Sequence, residues 1–407
     1  MDLALSALGD VADVDPFAPE HRADPHPLYH QLRALDPVHR LARTGGWAVF
    51  RHTDATAVLR DPRFSPNPSH LPPEAQPLAG PRRVENKVLL FLDPPDHTRI
   101  RSLVAAAFTP HRVRRLRPRV QELVDGMLDR AEAEGGLEVI GDLADPLPVA
   151  VICELLGVPG DADQATFRRW ASDATRRLDG ELDVDPETWA RGEEAIAGFI
   201  EYFLELINRR REHPQDGLLD ALIAAEQAGD RLDPEELLTT VILLFLAGHE
   251  TTMNLIGNGL WALLRHPDQL ERLRRDPSLG PSAVEELLRY DGPVHVTGRI
   301  ATEDLELAGT PIAKGEEVVV VLAAANRDPA VFPDPDRLDL GRRDNRHLTF
   351  SAGTHYCLGA ALARLEADVV FTTLLRRFPK LALAGPEPVY RDHFVLRGLR
   401  SLEVSLR

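Results

Sequence analysis

Cysteine and long hydrophobic runs are scarce in this sequence. Only two of the 407 residues are cysteine, Cys153 and Cys357. Two cysteines cannot form a disulfide framework in a chain of this length, and they fit a reducing compartment. The longest strongly apolar run, from Val241 to Gly248, has eight residues, whereas a membrane-spanning helix needs roughly 20. The first residues include an acidic Asp2 and no basic segment, so they do not resemble a secretory signal. We therefore expect a soluble cytoplasmic protein with no membrane segment.

Positive charge is also in deficit. The chain has 47 Lys and Arg against 64 Asp and Glu, a formal net charge of -17 at pH 7. Such an acidic protein is a poor candidate for binding nucleic acid through its phosphate backbone. The length by itself suggests two or three domains, yet the sequence shows neither a repeat nor a convincing linker, which favours one large unit.

Helical periodicity dominates the middle of the chain and returns near its end. Apolar residues recur at spacings of three and four in residues 118–134, 142–159, 193–212, 281–290 and 361–378. Residues 302–325 alternate and then become uniformly apolar, which predicts short strands. Residues 67–81 are rich in proline and predict an irregular loop. The sequence therefore predicts a mainly α protein with small β-sheets.

One predicted helix is long enough to cross the whole protein. It begins after Asp233, which is placed to cap it, with Pro234 in the first turn and Glu236 at the capping-box position. It ends near His266, so it is about 48 Å long. A helix this long and apolar must be buried on most sides.

Cys357 lies in a glycine-containing loop just before another predicted helix. The amide groups and the dipole at a helix N-terminus favour negative charge, which predicts a thiol with a lowered pKa. Gly353 and Gly359 let the backbone approach a flat ligand closely. His355 is placed to bind an anionic substituent of that ligand.

This loop, FSAGTHYCLG, resembles the haem-binding loop of the cytochrome P450 family, which reads F-x-x-G-x-H-x-C-x-G in bacterial members. The matching positions are Phe350, Gly353, His355, Cys357 and Gly359. Family members often carry glycine after the phenylalanine, where this chain has Ser351. The resemblance implies haem b with Cys357 as the axial iron ligand, Phe350 packed against its thiolate and His355 near a haem propionate. A thiolate ligand favours cleavage of the O–O bond.

The long helix carries a second motif. Ala247, Gly248 and Thr251 share one helix face, and Gly248 provides a shallow surface for a bulky cofactor. The Thr251 hydroxyl is expected to bond to the Ala247 carbonyl. Glu250 interrupts an apolar run, so we expect it to be at least partly buried, and burial raises the pKa of a carboxyl group, which suits proton delivery. A zinc-protease interpretation of His249 and Glu250 fails because no second histidine lies four residues on.

The segment AGHETT also resembles the oxygen-activation motif of the same family, A-G-x-[DE]-T-[TS]. The resemblance implies that Glu250 and Thr251 are the catalytic acid–alcohol pair, which organises protons and water for splitting O2. It further implies that the two haem propionates are held by His97, Arg101, Arg299 and His355.

Glu286 and Arg289 lie three apart on a helix and resemble the structural E-x-x-R pair of the family. A third partner usually comes from the arginine-rich segment that follows. We choose Arg342 as this partner. Arg337 remains the competitor, since the sequence does not decide between them.

The basic run at residues 111–120 stands out in an acidic protein. One interpretation is a solvated helix face. The other is a docking patch for an acidic electron-transfer protein, centred on Arg112, Arg114 and Arg115.

The resemblance extends from about residue 15 to the end of the chain. It implies a triangular fold in which residues 1–407 form a single haem-thiolate monooxygenase domain, and we expect a monomer. The implied reaction hydroxylates or epoxidises a hydrophobic small molecule, such as a secondary metabolite. It uses O2 and two electrons from a ferredoxin and its NAD(P)H-dependent ferredoxin reductase.

The predicted substrate contacts are the loop before Phe91, Leu244 to Gly248, Val294 to Val296, and His393 to Val395. Two alternatives remain at this point: a peroxygenase driven by hydrogen peroxide, or a haem-binding or recruitment module without catalytic activity.

Overall fold

The computed structural model describes residues 14–73, 87–106, 108–160, 162–180, 184–227 and 232–407. Most of these residues are helical. The α-helices are α1 His26–Leu35, α2 His52–Arg60, α3 Asp96–Ala105, α4 Pro110–Arg115, α5 Arg117–Glu134, α6 Pro146–Leu156, α7 Gln164–Arg176, α8 Pro186–Glu212, α9 Leu218–Gln227, α10 Pro234–Arg265, α11 Pro267–Arg275, α12 Gly280–Asp291, α13 Leu322–Ala325 and α14 Ala360–Arg377. The strands are β1 Val38–Arg40, β2 Trp47–Val49, β3 Phe64–Ser65, β4 Leu137–Glu138, β5 Val296–Ala301, β6 Leu305–Leu307, β7 Thr310–Ile312, β8 Glu317–Val321, β9 Ala382–Leu383 and β10 Glu403–Ser405.

The central helix α10 begins and ends where the sequence predicts. Asp233 Oδ1 accepts hydrogen bonds from the backbone N–H of Glu235 and of Glu236, each at 2.9 Å. Glu236 Oε2 accepts one from the Asp233 N–H, also at 2.9 Å. This reciprocal arrangement satisfies N–H groups that an uncapped helix would leave unpaired.

Helix α10 packs against α6, α7, α8, α12 and α14. Among the described helices it alone has the length and composition of a membrane-spanning segment, and 67% of its apolar window is buried inside the protein. Burial in the core therefore accounts for its apolar composition.

The strands form three small sheets. The largest has the order β1-β2-β8-β5-β3, in which β2 and β8 run parallel and the other neighbours antiparallel. The second has the order β4-β10-β9, and β6 pairs with β7. A large apolar core lies among the helices, and two smaller cores pack against the first sheet. The predicted fold class, mainly α with small sheets, is confirmed.

Two details differ from the sequence prediction. The apolar run at the end of residues 302–325 does not remain a strand, since β8 ends at Val321 and α13 follows at Leu322–Ala325. Alanine and leucine favour a helix, whereas the preceding valines favour a strand. In the predicted loop 67–81, Pro68–His70 form a 3-10 turn that the Asn67 side chain caps, and residues 74–81 lie outside the described part of the chain.

Candidate active site

The middle of α10 presents one face that the core does not cover. Ala247 is exposed and Leu243, Gly248 and Thr251 are half-buried, within a helix that is otherwise largely buried. Residues four apart lie above one another on a helix, so positions 243, 247 and 251 form one stripe. A Cβ on Gly248 would lie 3.8 Å from Ile152, an ordinary contact. Gly248 therefore lies at the edge of this face, beside α6.

Thr251 and Glu250 bond to different parts of the protein. Thr251 Oγ1 donates to the Ala247 carbonyl at 2.7 Å, as the sequence predicts. Glu250 is 1% exposed, which confirms its expected burial. Glu250 Oε1 accepts a hydrogen bond from Arg391 Nη1 at 3.2 Å, and Glu250 Oε2 accepts one from Thr175 Oγ1. The predicted acid–alcohol pair thus has no direct hydrogen bond between its members among the described contacts.

Sequence reasoning missed the polar network around Glu250. His393 Nε2 lies 4.0 Å from Glu250 Oε1, and His393 Nδ1 lies 3.1 Å from Asp179 Oδ2. Asp179 also accepts a hydrogen bond from the backbone N–H of Val395 at 3.1 Å. Thr175 and Arg391 are 75 and 141 residues from Glu250 along the chain. Because only tertiary packing joins them, no local pattern signals this network.

The cysteine loop is shaped by its backbone. The Cys357 N–H donates to the Phe350 carbonyl at 2.8 Å, and a 3-10 turn spans Gly353–His355. Gly353 has a φ of +70°, and a Cβ there would lie 2.5 Å from the Leu59 carbonyl oxygen, so only glycine fits. Gly359 meets no such constraint, since a Cβ there would have nothing within 4 Å.

The environment of Cys357 corrects one expectation. Burial raises the pKa of the Cys357 thiol above its ordinary value, although the backbone amides of Gly359 and Ala360 and the charges of Arg101 and Arg364 act to lower it. The predicted influence of the helix N-terminus is present. The prediction of a net lowered pKa is wrong, because the cost of placing a thiolate in an apolar setting outweighs those groups.

Four basic side chains gather beside this loop without an acidic partner. The ring centroids of His97 and His355 lie 4.1 Å apart, and Arg101 Nη2 donates to the carbonyl of Tyr356. Arg299, 6% exposed, donates only to Thr297 Oγ1 and the Gly298 carbonyl. Neither ring nitrogen of the buried His97 has a hydrogen-bond partner in the described part of the chain. Within the described residues, no carboxylate forms an ion pair with any of these four side chains.

The pKa values of this cluster reflect burial and mutual repulsion. Burial lowers the pKa of Arg299 to about 10. Burial, together with the charges of His97, Arg299 and Arg101, lowers the pKa of His355 to about 3. The guanidinium groups of the buried Arg299 and the half-buried Arg101 require an anionic partner, and the two histidine rings add hydrogen-bonding nitrogens, so this cluster suits an anionic ligand.

The E-x-x-R motif forms a buried network. Arg289 Nε and Arg289 Nη2 each donate a hydrogen bond to the Glu286 carboxylate at 2.8 Å. The side chains of Glu286 and Arg289 are fully buried. Arg342 Nε donates to Glu286 Oε2 at 3.1 Å, whereas Arg337 takes part through its backbone carbonyl, which accepts from Arg289 Nη2 and Arg342 Nη2. The choice of Arg342 over Arg337 is confirmed.

Two of the predicted substrate-contact segments lie side by side. Val294 forms a β-bridge with Leu396, and the His295 N–H donates to the Val395 carbonyl at 2.9 Å. In the loop before Phe91, only residues 87–90 are described; Leu89 is buried and Leu90 is 45% exposed.

Comparison with known proteins identifies the family. Residues 177–277 and 279–399 match the family model described as Cytochrome P450. The chain belongs to the cytochrome P450 family. Cytochrome P450 proteins bind haem b, and this chain is a haem-dependent monooxygenase.

Relatives of this cytochrome P450 match over nearly their whole length. The cytochrome P450 monooxygenase PikC of Streptomyces venezuelae is 45% identical over 98% of this chain and 94% of the relative. The vitamin D(3) 25-hydroxylase of Pseudonocardia autotrophica is 43% identical over 99% of each chain. The structure of the myxobacterial cytochrome P450 CYP267B1 in complex with myristic acid is 42% identical, with a TM-score of 0.89 over 96% of this chain and 98% of that one.

Proposed function

We propose that this cytochrome P450 hydroxylates or epoxidises a hydrophobic small molecule with O2 and two electrons from a ferredoxin and its NAD(P)H-dependent reductase. One observation carries the assignment of the site: four basic groups without carboxylate partners gather beside the loop that bears Cys357. A thiol donor next to an anion-binding cluster suits haem b, which has one iron and two carboxylates. We further propose that residues 1–407 form one domain, active as a monomer in the cytoplasm.

The residues of the loop and cluster would hold the cofactor. Cys357 would bind the iron through its sulfur, with Phe350 against that sulfur, and Gly353 would keep the loop in its tight turn. The propionates would be held by His97, Arg101, Arg299 and His355. When bound, haem supplies the iron at which O2 is reduced and one oxygen atom is inserted into the substrate.

The residues of α10 would serve the other side of the cofactor. Ala247 and Gly248 have small side chains on the uncovered face, which leaves space for a flat group. Conversion of RH, O2, two electrons and two protons to ROH and H2O requires two protons per turnover. The Thr251 hydroxyl and the Glu250 carboxyl group would hold and pass them.

A hydrophobic substrate is supported by the apolar segments near α10, Val294 to Val296 and His393 to Val395 among them. The relatives named for vitamin D(3) hydroxylation and bound to myristic acid provide two probes for this chain. Both probes are hydrophobic small molecules, the substrate class that we propose for this chain.

Replacement of Cys357 tests whether this loop binds haem through a cysteine. We expect the purified protein, reduced under carbon monoxide, to show the strongly red-shifted Soret band of cysteinate-ligated haem, and Cys357→Ala to abolish it. Cys153→Ala is the matched control, because Cys153 is buried in α6 and burial raises its pKa to about 12. A spectrum indifferent to Cys357, or an absence of haem, would contradict the proposal.

The proposed electron donor would dock on α4. Arg112, Arg114 and Arg115 are exposed there, and none forms an ion pair with a described residue, whereas the nearby Arg117 pairs with Asp368. Replacing the three with glutamine should slow reduction by a ferredoxin, most strongly at low ionic strength. Arg209→Gln, an exposed charge on α8, should change nothing. Unchanged reduction by the triple variant would leave these arginines as a solvated helix face.

A further inference from the structure

A polar cavity reaches Glu250 from the protein surface. Its volume is about 320 Å³. Ala165 and Arg169 in its lining are exposed, whereas His249 and Glu250 are each 1% exposed and lie deepest. Thr251 is not part of the lining. The cavity therefore joins solvent to the carboxyl group that the proposed function assigns to proton transfer.

An Asp–His pair with one free nitrogen lines this cavity. His249 Nε2 lies 2.6 Å from Asp145 Oδ1, whereas His249 Nδ1 is buried without a hydrogen-bond partner among the described residues. If Nε2 carries the proton that is shared with the carboxylate, Nδ1 carries a lone pair. A buried polar atom without a partner costs free energy, so a water molecule or another donor in the cavity is expected to fill that position.

A second buried pair shows what a purely structural arrangement looks like. His39 is fully buried, with Nδ1 2.9 Å from Asp36 Oδ2 and Nε2 2.8 Å from the Val14 carbonyl. Both nitrogens of His39 have partners, and none remains for exchange with water. His39 therefore serves as a control for a buried Asp–His pair whose second nitrogen already has a partner.

The charges around the cavity suit water and protons and do not suit a hydrophobic substrate. Arg168 Nη1 donates to Asp145 at 3.2 Å, and Arg391 Nη1 donates to Glu250 at 3.2 Å. Arg169, near the mouth, donates to Thr166. These three cations and the carboxylates of Asp145 and Glu250 place five charged groups around the cavity. Such a site holds ordered water readily.

We propose that Asp145 and His249 form a relay station that carries protons from solvent to Glu250, an inference that rests on the proposed function. A proton passes from water at the mouth to His249 Nδ1, and Asp145 stabilises the imidazolium through Nε2–H. The proton then passes through cavity water to the Glu250 carboxylate. There it replaces a proton that Glu250 has already delivered. Only protons move in these steps, so His249 ends each turnover in its starting state.

The first test observes His249 without any turnover. Protein labelled with ¹⁵N-histidine is studied by NMR as the diamagnetic ferrous carbon monoxide complex. The relay predicts that His249 carries its ring proton on Nε2 and none on Nδ1, and that this ring proton exchanges with water much faster than the ring proton of His39. A protonated Nδ1, or exchange as slow as that of His39, would overturn the proposal.

The second test compares two ways of driving turnover with myristic acid. His249→Gln can still bond to Asp145 but cannot carry a proton. With O2 and two electrons delivered by ferredoxin, the P450 site takes up two protons for each product formed, whereas RH plus H2O2 gives ROH plus H2O with no net proton. We expect the ratio of O2-driven to peroxide-driven rates to fall about tenfold in His249→Gln, with a larger solvent deuterium isotope effect, and to stay constant in His39→Gln.

An equal loss of both rates in His249→Gln would mean a structural role, and no loss would mean that protons reach Glu250 by another route; either result overturns the relay. A wild-type enzyme that forms product from neither myristic acid nor vitamin D(3) by either route would contradict the proposed function instead. In that case the NMR comparison still decides whether His249 exchanges protons through the cavity.

Discussion

Ser351 occupies a backbone conformation that side chains rarely adopt. Its φ is 62°, in the left-handed region, and its buried hydroxyl oxygen has no hydrogen-bond partner among the residues that the structure describes. Left-handed geometry costs a non-glycine residue about 1–2 kcal/mol. The sequence shows that this chain departs from the family here, and the structure gives the physical reason why glycine is common at that position.

Replacement of Ser351 by glycine should stabilise the protein. We expect Ser351→Gly to raise the free energy of unfolding by about 1 kcal/mol, since relief of the strain exceeds the entropy that the added glycine costs. Urea denaturation of the haem-bound protein measures this free energy of unfolding. Ser351→Ala separates the two causes, because it removes the unpaired hydroxyl and keeps the strained Cβ. If alanine stabilises as much as glycine, the hydroxyl and not the backbone is responsible.

Hydrogen bonds between residues close in the sequence could be predicted from the sequence. Those between residues far apart in the sequence could not. The bond from Thr251 to Ala247 spans one helical turn, so helix geometry predicts it. The partners of Glu250 come from α7 and from the segment around Arg391. A sequence pattern indicates that such a carboxyl group is buried but not what compensates its charge.

At the scale of whole elements, local signals located the boundaries well. The capping box of Asp233 and Glu236 begins α10, and Gly157, with a φ of +64°, ends α6. Both signals act through backbone groups of the same helix. The helix α13 was missed because the residues after β8 remain apolar, and hydrophobicity by itself does not distinguish a buried strand from a short buried helix.

The hydrogen bonds that join Glu286 of α12 to the later arginine-rich segment could not be predicted from local sequence, because they depend on tertiary packing. From the sequence we choose Arg342, with Arg337 as the competitor, since the sequence does not decide between them. In the structure Arg342 directs its guanidinium to Glu286, while the Arg337 side chain is exposed. Glu286 also accepts a hydrogen bond from Asn345 Nδ2 at 3.2 Å. The carboxylate is thus surrounded by donors from a segment more than 50 residues away.

The different contacts of Arg342 and Arg337 lead to a pair of predictions about stability. Arg342→Ala should lower the free energy of unfolding by about 3 kcal/mol, because it leaves part of a buried ion network uncompensated. Arg337→Ala should have little effect, since the variant retains the backbone carbonyl that Arg289 uses. Thermal unfolding midpoints and haem content measure both. Equal losses in the two variants would show that the exposed Arg337 charge matters as well.

At the scale of the whole molecule, buried neutral histidines limit stability in acid. His295 is 5% exposed and lies near Asp291 and His26. Burial lowers the pKa of both His26 and His295 below the ordinary value of 6.5. The unfolded chain therefore binds protons near pH 6.5 that the folded protein does not bind.

The stability of the protein should decline as the pH falls through 6.5. Each histidine contributes a slope of up to about 1.4 kcal/mol per pH unit below that value, until the lower pKa of the folded protein is reached. Unfolding free energies between pH 7.5 and pH 5 measure the slope, and His295→Gln should make it shallower. A slope unchanged by this substitution would assign the acid sensitivity to other groups.

The long separation between Glu250 and Arg391 has a consequence for synthesis on the ribosome. The arginine emerges 141 residues after the glutamate, an interval of about 7–28 s at ordinary elongation rates. During that time α10 exists without the cation that compensates its central carboxylate. All of the described α-helices end before Arg391, so the Glu250 carboxyl group gains this partner only after every one of them has been synthesised.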